Sequence, residues 1–122
     1  MIYLANSFSV SMLYHPDVNT ISELRVERIS GWTAGNILRT HDFVSVYGHE
    51  DSAKILRRYW QDVPVPVARR PISLRPDDML IVASSQRDRD REDGYDWGHK
   101  PWFRFYRITL TGAKNENDRR RV

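Results

Sequence analysis

A chain of 122 residues, 40% of them apolar, can bury one modest core, so a single domain is expected. The absence of cysteine excludes disulfides, zinc–thiolate centres and thiol nucleophiles. Of the net charge of +3, residues 113–122 (AKNENDRRRV) carry +2, from four cations against two acids, and the +1 left on the body excludes the broad basic surface of a duplex-DNA binder.

No apolar run approaches the roughly 18 residues of a membrane span. The opening MIYLANSFSVSML lacks the positive n-region of a signal peptide, so the chain reads as soluble and cytoplasmic. Met1 to Ala5 predict a first, central strand, broken by the small polar residues NSFS. Val10, Met12 and Leu13 predict a short helical turn that ends at His15-Pro16, because proline disfavours helix before it. Val18 to Ile29 contain a second strand with Ile21, Val26 and Ile29 facing inward. Ser30 caps a helix over GWTAGNILRTH, although two glycines lower its propensity. Phe43 to Tyr47 predict a strand, followed by a helix from about Asp51 to Gln61. Glu50, Asp51 and Ser52 supply its start, and Ala53, Leu56, Tyr59 and Trp60 its apolar face. DVPVPVARRP is extended, Ile72 to Leu74 a short strand, and RPDD a turn. MLIVASSQ predicts a buried central strand, RDRDREDGYDWGHKP a polar loop, and WFRFYRITL a last strand. The expectation is an α/β domain over residues 1–112, with a mixed sheet of about five strands flanked by helices, and a basic disordered tail over 113–122.

Chemistry-bearing residues follow three of the apolar strands. Asn6, Ser7 and Ser9 end the first, where open α/β sheets bind ligands and where serine also serves as a helix cap. Gly48 and His49 join the third strand to its helix; glycine admits a close ligand, and a helix N-terminus offers free N–H groups to phosphate. The same position suits a histidine that only caps or packs. Ser84, Ser85 and Gln86 end the MLIVASSQ strand, before Arg87, Arg89 and Arg91, whose guanidinium forks suit phosphate but whose acidic neighbours suit a self-neutralising loop. Arg69 and Arg70 carry the same two readings. His15, His41, His49 and His99 are scattered without metal-ligand spacing, and G-x-S-x-G, Walker and G-x-G-x-x-G motifs are absent, so no metal or cofactor is expected. If the strand ends converge, Asn6, Ser9, His49, Ser52, Gln86 and an arginine line one pocket. That inventory suits RNA cleavage by the substrate's own 2′-hydroxyl, with His49 protonating the leaving 5′-oxygen.

YLANSFSVSML, VYGHEDSAKIL and VPVARRPISLRPDDMLIV, in this order, resemble segments of the small viral ring nucleases that act as type III anti-CRISPR proteins. The resemblance spans roughly residues 2–110. It implies a homodimer that binds cyclic tetra-adenylate at its interface and cuts it without metal to linear di-adenylates, which silences the defence ribonucleases. A two-fold dimer suits a two-fold ring. The family's active-site histidine falls on His49, its first-loop residues on Asn6 and Ser9, and its following hydroxyl on Ser52. The family's Gln, Arg and Glu-Gly pattern after the central strand is matched only loosely by QRDRDREDG: Gln86 falls in place, with Arg89 and Glu92 or, alternatively, Arg87. The rival expectation is a non-catalytic nucleotide sponge or a viral protein-interaction factor.

Overall fold

The apolar runs become a five-stranded mixed sheet in a computed structural model that describes residues 1–15, 20–86 and 102–115. Its elements are β1 (Ile2–Ala5), a 3-10 turn (Val10–Met12), β2 (Thr20–Ile29), α1 (Gly31–Thr40), β3 (Val44–Ser45), α2 (Glu50–Trp60), β4 (Met79–Gln86) and β5 (Trp102–Asn115). The spatial order is β2-β5-β4-β1-β3. β1 runs parallel to both neighbours, with Tyr3 opposite Val44 on β3 and Leu80 on β4. β5 is antiparallel to β4 and β2, and its pairing with β2 carries an irregularity at Glu23/Leu24. Among the described residues no helix is long and apolar enough to cross a membrane.

β4 is apolar at successive positions because both of its faces are covered. Ile81 and Ala83 pack with Leu4 and Phe105 beneath Ala34 and Leu38 of α1 and Ala53, Leu56 and Trp60 of α2. Leu80 and Val82 pack on the other face with Ala5, Ile108 and Leu110, beneath Phe8, Met12, Leu13 and Leu74. Both helices therefore lie on one face of the sheet. The second face is covered by the 3-10 turn and the segment around Leu74, which meet in a parallel bridge between Leu13 and Leu74.

Several expectations are corrected. Val26 is 57% exposed, because its in-register partner Ile108 belongs to the second face, whereas Ile29 opposite Phe105 faces the helices. β3 is only two residues long, and Tyr47 bridges Val67 instead of extending it. Ile72–Leu74 supplies only the bridge at Leu74. Tyr59 is 57% exposed, so the buried stripe of α2 is narrower than its apolar spacing. The β5 backbone continues to Asn115, opposite Thr20, so 113–115 belong to a strand and not to a tail. The polar loop predicted from Arg87 lies outside the described residues.

α1 forms despite its glycines because tertiary contacts need one of them. Ser30 Oγ accepts from Thr33 N–H at 3.0 Å, capping the helix. A Cβ on Gly35 would stand 2.7 Å from Trp60 Nε1 and 2.8 Å from its Cδ1. The indole cannot retreat easily, since it is buried and its Nε1–H donates to Gly31 O at 2.9 Å. Gly35→Ala gains about 1 kcal/mol of helix propensity and incurs overpacking of about 1–3 kcal/mol. The expected outcome is a net loss of about 1 kcal/mol in urea unfolding; an unchanged or raised midpoint would show that Trp60 yields.

Arg107 binds both carboxylate oxygens of Glu27 across the β2–β5 ladder, at 3.1 and 2.8 Å. Those hydrogen bonds hold the Glu27 carboxyl below its ordinary value. A depressed folded-state value contributes stability above the unfolded value, near 4.5, which is lost as pH falls through the folded one. Glu27→Gln should therefore flatten the acid limb of the stability–pH curve. The effect is expected to be small because both side chains are partly exposed. An identical acid limb in the variant would mean the pair contributes nothing.

Candidate active site

Parallel pairing brings the carboxyl ends of β1, β3 and β4 to one end of the sheet. Asn6 follows β1, Ser84 and Ser85 lie near the end of β4, and the turn after β3 carries Tyr47, Gly48 and His49. A polar cavity of about 160 Å³ opens there, lined by Asn6, Tyr47, His49, Ser52, Ser84 and Ser85. Asn6 Oδ1 accepts from Gly48 N–H at 2.9 Å, which fixes the turn after β3 to the end of β1. Arg69 Nε donates to Gly48 O at 2.9 Å, and its Cγ would lie 3.1 Å from a Cβ on Gly48. Glycine at 48 thus admits the arginine stem.

His49, not Glu50, Asp51 or Ser52, is the N-cap of α2. Its exposed imidazole accepts through Nδ1 from Ser52 N–H at 3.3 Å, and Nδ1 stands 2.9 Å from Ser52 Oγ. A backbone N–H can only donate, so Nδ1 is the bare nitrogen in this arrangement and Nε2 bears the proton. Ser52 is 4% exposed. Tyr47 is fully buried and donates its O–H to Ala83 O at 2.9 Å. Burial pushes that phenol up to about 12, against a smaller lowering by Ser52. Ser52 thus holds His49, and Tyr47 separately ties the turn after β3 to the β4 backbone.

Asn6, Gly48, His49 and Ser52 are brought together as the sequence suggested, with Arg69 at the turn beside them. Ser9 is not: its Oγ accepts from Ser11 N–H at 3.3 Å and caps the 3-10 turn. Ser7 is exposed and lines no wall of this cavity. Gln86 closes β4, with its side chain outside the described residues, as are Arg87, Arg89 and Glu92. Tyr47 was legible in the sequence only as an aromatic strand residue; nothing in its neighbourhood marks a buried hydroxyl that reaches β4. Among the described residues no cluster of three metal-ligating side chains forms.

The six tyrosines give a direct check. In a spectrophotometric titration of the folded protein, Tyr47 should ionise near pH 12. A raised value contributes stability that is complete below the unfolded value of 10 and is lost as pH rises through 12. Tyr47→Phe should remove that alkaline loss, and ionisation of all tyrosines near pH 10 would contradict the burial.

A search of curated proteins finds no match. Among solved structures, the fold is similar to B116 of Sulfolobus turreted icosahedral virus, with a TM-score of 0.62 and 18% identity over 88% of this chain and 97% of that one. The STIV B116-like family profile matches residues 2–94, which span β1 to β4 and every described wall of the cavity. The chain therefore belongs to the STIV B116-like family.

Proposed function

We propose that the protein is a metal-independent ring nuclease that cuts cyclic tetra-adenylate to linear di-adenylates and so suppresses type III CRISPR signalling in the host cytoplasm. The observation that carries this reading is His49: an exposed imidazole at a helix N-terminus, with its Nε2 free of protein partners in the described hydrogen bonds and its Nδ1 held by Ser52. In the reaction a ribose 2′-hydroxyl attacks the adjacent phosphorus in line, gives up its proton to water and forms a 2′,3′-cyclic phosphate. The P–O5′ bond breaks, and the leaving oxygen takes the Nε2 proton of His49 in its imidazolium form, which becomes neutral. Asn6 and the α2 N-terminus bind the phosphate and ribose, and Arg69 stands beside them for phosphate charge. Gln86 and one of Arg87 or Arg89, with Glu92, complete the ligand contacts that the family resemblance implies.

At about 160 Å³ the cavity falls below the roughly 300–1,000 Å³ of ligand sites. It takes one phosphate–ribose step of the ring, and the rest lies over the surrounding surface. A second copy of the chain, related by two-fold symmetry, would meet the opposite half of the ring. A sponge is the second reading, favoured by the fact that His49 already serves as a structural cap.

Incubation with cyclic tetra-adenylate in EDTA, followed by chromatography, tests both. Wild type should yield linear di-adenylates, and His49→Ala should be at least about a hundredfold slower while still binding the ring. Undiminished cleavage by the variant would remove His49 from the reaction. An intact ring recovered from wild type, with binding retained, would establish the sponge.

A further inference from the structure

A second cavity, of about 560 Å³, opens beside the start of β5. Tyr59 of α2 and Phe103 and Phe105 of β5 line it, together with Arg28 and Arg104 and the α1 start at Gly31. It is a separate space from the His49 cavity, although the two are neighbours, since Ser85 of one pairs with Phe103 of the other in the β4–β5 ladder. The three rings form a shelf. Tyr59 stacks on Phe105 at 6.0 Å with planes 20° apart, and Phe103 on Phe105 at 5.9 Å and 26°. Phe105 is buried, but Tyr59 is 57% exposed and Phe103 only half-buried, so the shelf keeps open ring surface.

Gly31 shapes this wall, because a Cβ there would lie 2.8 Å from Tyr59 Cε1 and 2.9 Å from Phe105 Cε2. The described lining carries the Arg28 guanidinium and no carboxylate, so its charge favours an anion. The volume lies within the roughly 300–1,000 Å³ of small-molecule sites. Open aromatic rings beside arginine are the combination that holds an unstacked base and its phosphate.

We infer that this cavity binds a nucleoside monophosphate unit, with its base stacked against Tyr59 and Phe103 and its phosphate held by Arg28. The unit comes from a free nucleotide or from the end of a linear strand. The inference does not rest on the ring-nuclease reading of the His49 site.

Amide chemical-shift titration of the full chain with adenosine, adenosine 5′-monophosphate and linear tetra-adenylate tests it. The monophosphate should shift Gly31, Tyr59 and Phe103 and bind more tightly than adenosine. Tyr59→Ala and Arg28→Ala, both at exposed positions, should each weaken it by about fivefold or more. Lys54→Ala, exposed elsewhere on α2, should not. Tighter binding of the tetra-adenylate than of the monophosphate identifies a strand as the source, and equal binding a free nucleotide. No shifts at these residues with probe at about 5 mM, shifts confined to Asn6–Ser52, or full affinity in both Tyr59→Ala and Arg28→Ala would overturn the inference.

Discussion

The site exists because β1 is hydrogen-bonded in parallel to strands on both sides. An antiparallel neighbour would send its carboxyl end to the far edge of the sheet. With β1 between β4 and β3, Asn6, the Gly48–His49 turn and Ser84–Ser85 emerge together. The chain leaves β3 through α2 and returns on the other side of β1, so the crevice lies where strand order changes direction, the usual ligand position in open α/β sheets. The core supports this arrangement. Leu4, Leu80, Ile81 and Ala83 are all fully buried around the strands that carry the polar residues. The polar ends are thus held by a rigid frame and not by loop contacts alone.

Much of this was legible in the sequence, for identifiable reasons. β4 is visible as an uninterrupted apolar run, α2 as apolar spacing near 3.6, and α1 through its serine cap. The convergence of Asn6, His49 and Ser52 was legible only as a condition, because strand order is a long-range property that no local pattern encodes. Val26 shows the same limit. Its neighbours predict a strand but not which parity is buried, and the sheet edge leaves its face open. Ser9 and His49 show a different limit. Each residue type both caps helices and binds ligands, so composition cannot separate the roles. At Ser9 the short turn takes the side chain, whereas at His49 the cap uses one ring nitrogen and leaves the other.

Propensity was overridden where packing made a specific demand. Gly31 and Gly35 weaken α1 as an isolated helix, yet both positions face aromatic rings too close for a Cβ. The same aromatic cluster of Tyr59, Trp60 and Phe105 joins α1, α2 and β5. Those glycines are therefore the cost of seating two helices on one face of a five-stranded sheet. The other face is thinly covered by a 3-10 turn and one bridge, which leaves Leu24 and Val26 at its margin in contact with water.

His49 caps a helix through the same ring that would hand over a proton, and the two demands meet at Nδ1. With the imidazole neutral, Nδ1 is bare and faces both the N–H and the hydroxyl of Ser52. When the imidazole gains a proton, Nδ1 becomes a donor. Ser52 Oγ can then accept from it, but the Ser52 N–H loses its acceptor. The charged state is therefore reached by giving up the backbone cap bond. A serine at 52 keeps Nδ1 paired in both states because its oxygen both donates and accepts; alanine would leave Nδ1 without a partner in the charged state. Tyr47 serves the frame instead. Its O–H is committed to Ala83 O, and a phenylalanine there would remove that bond in a buried site, where an unmade hydrogen bond costs about 1–3 kcal/mol.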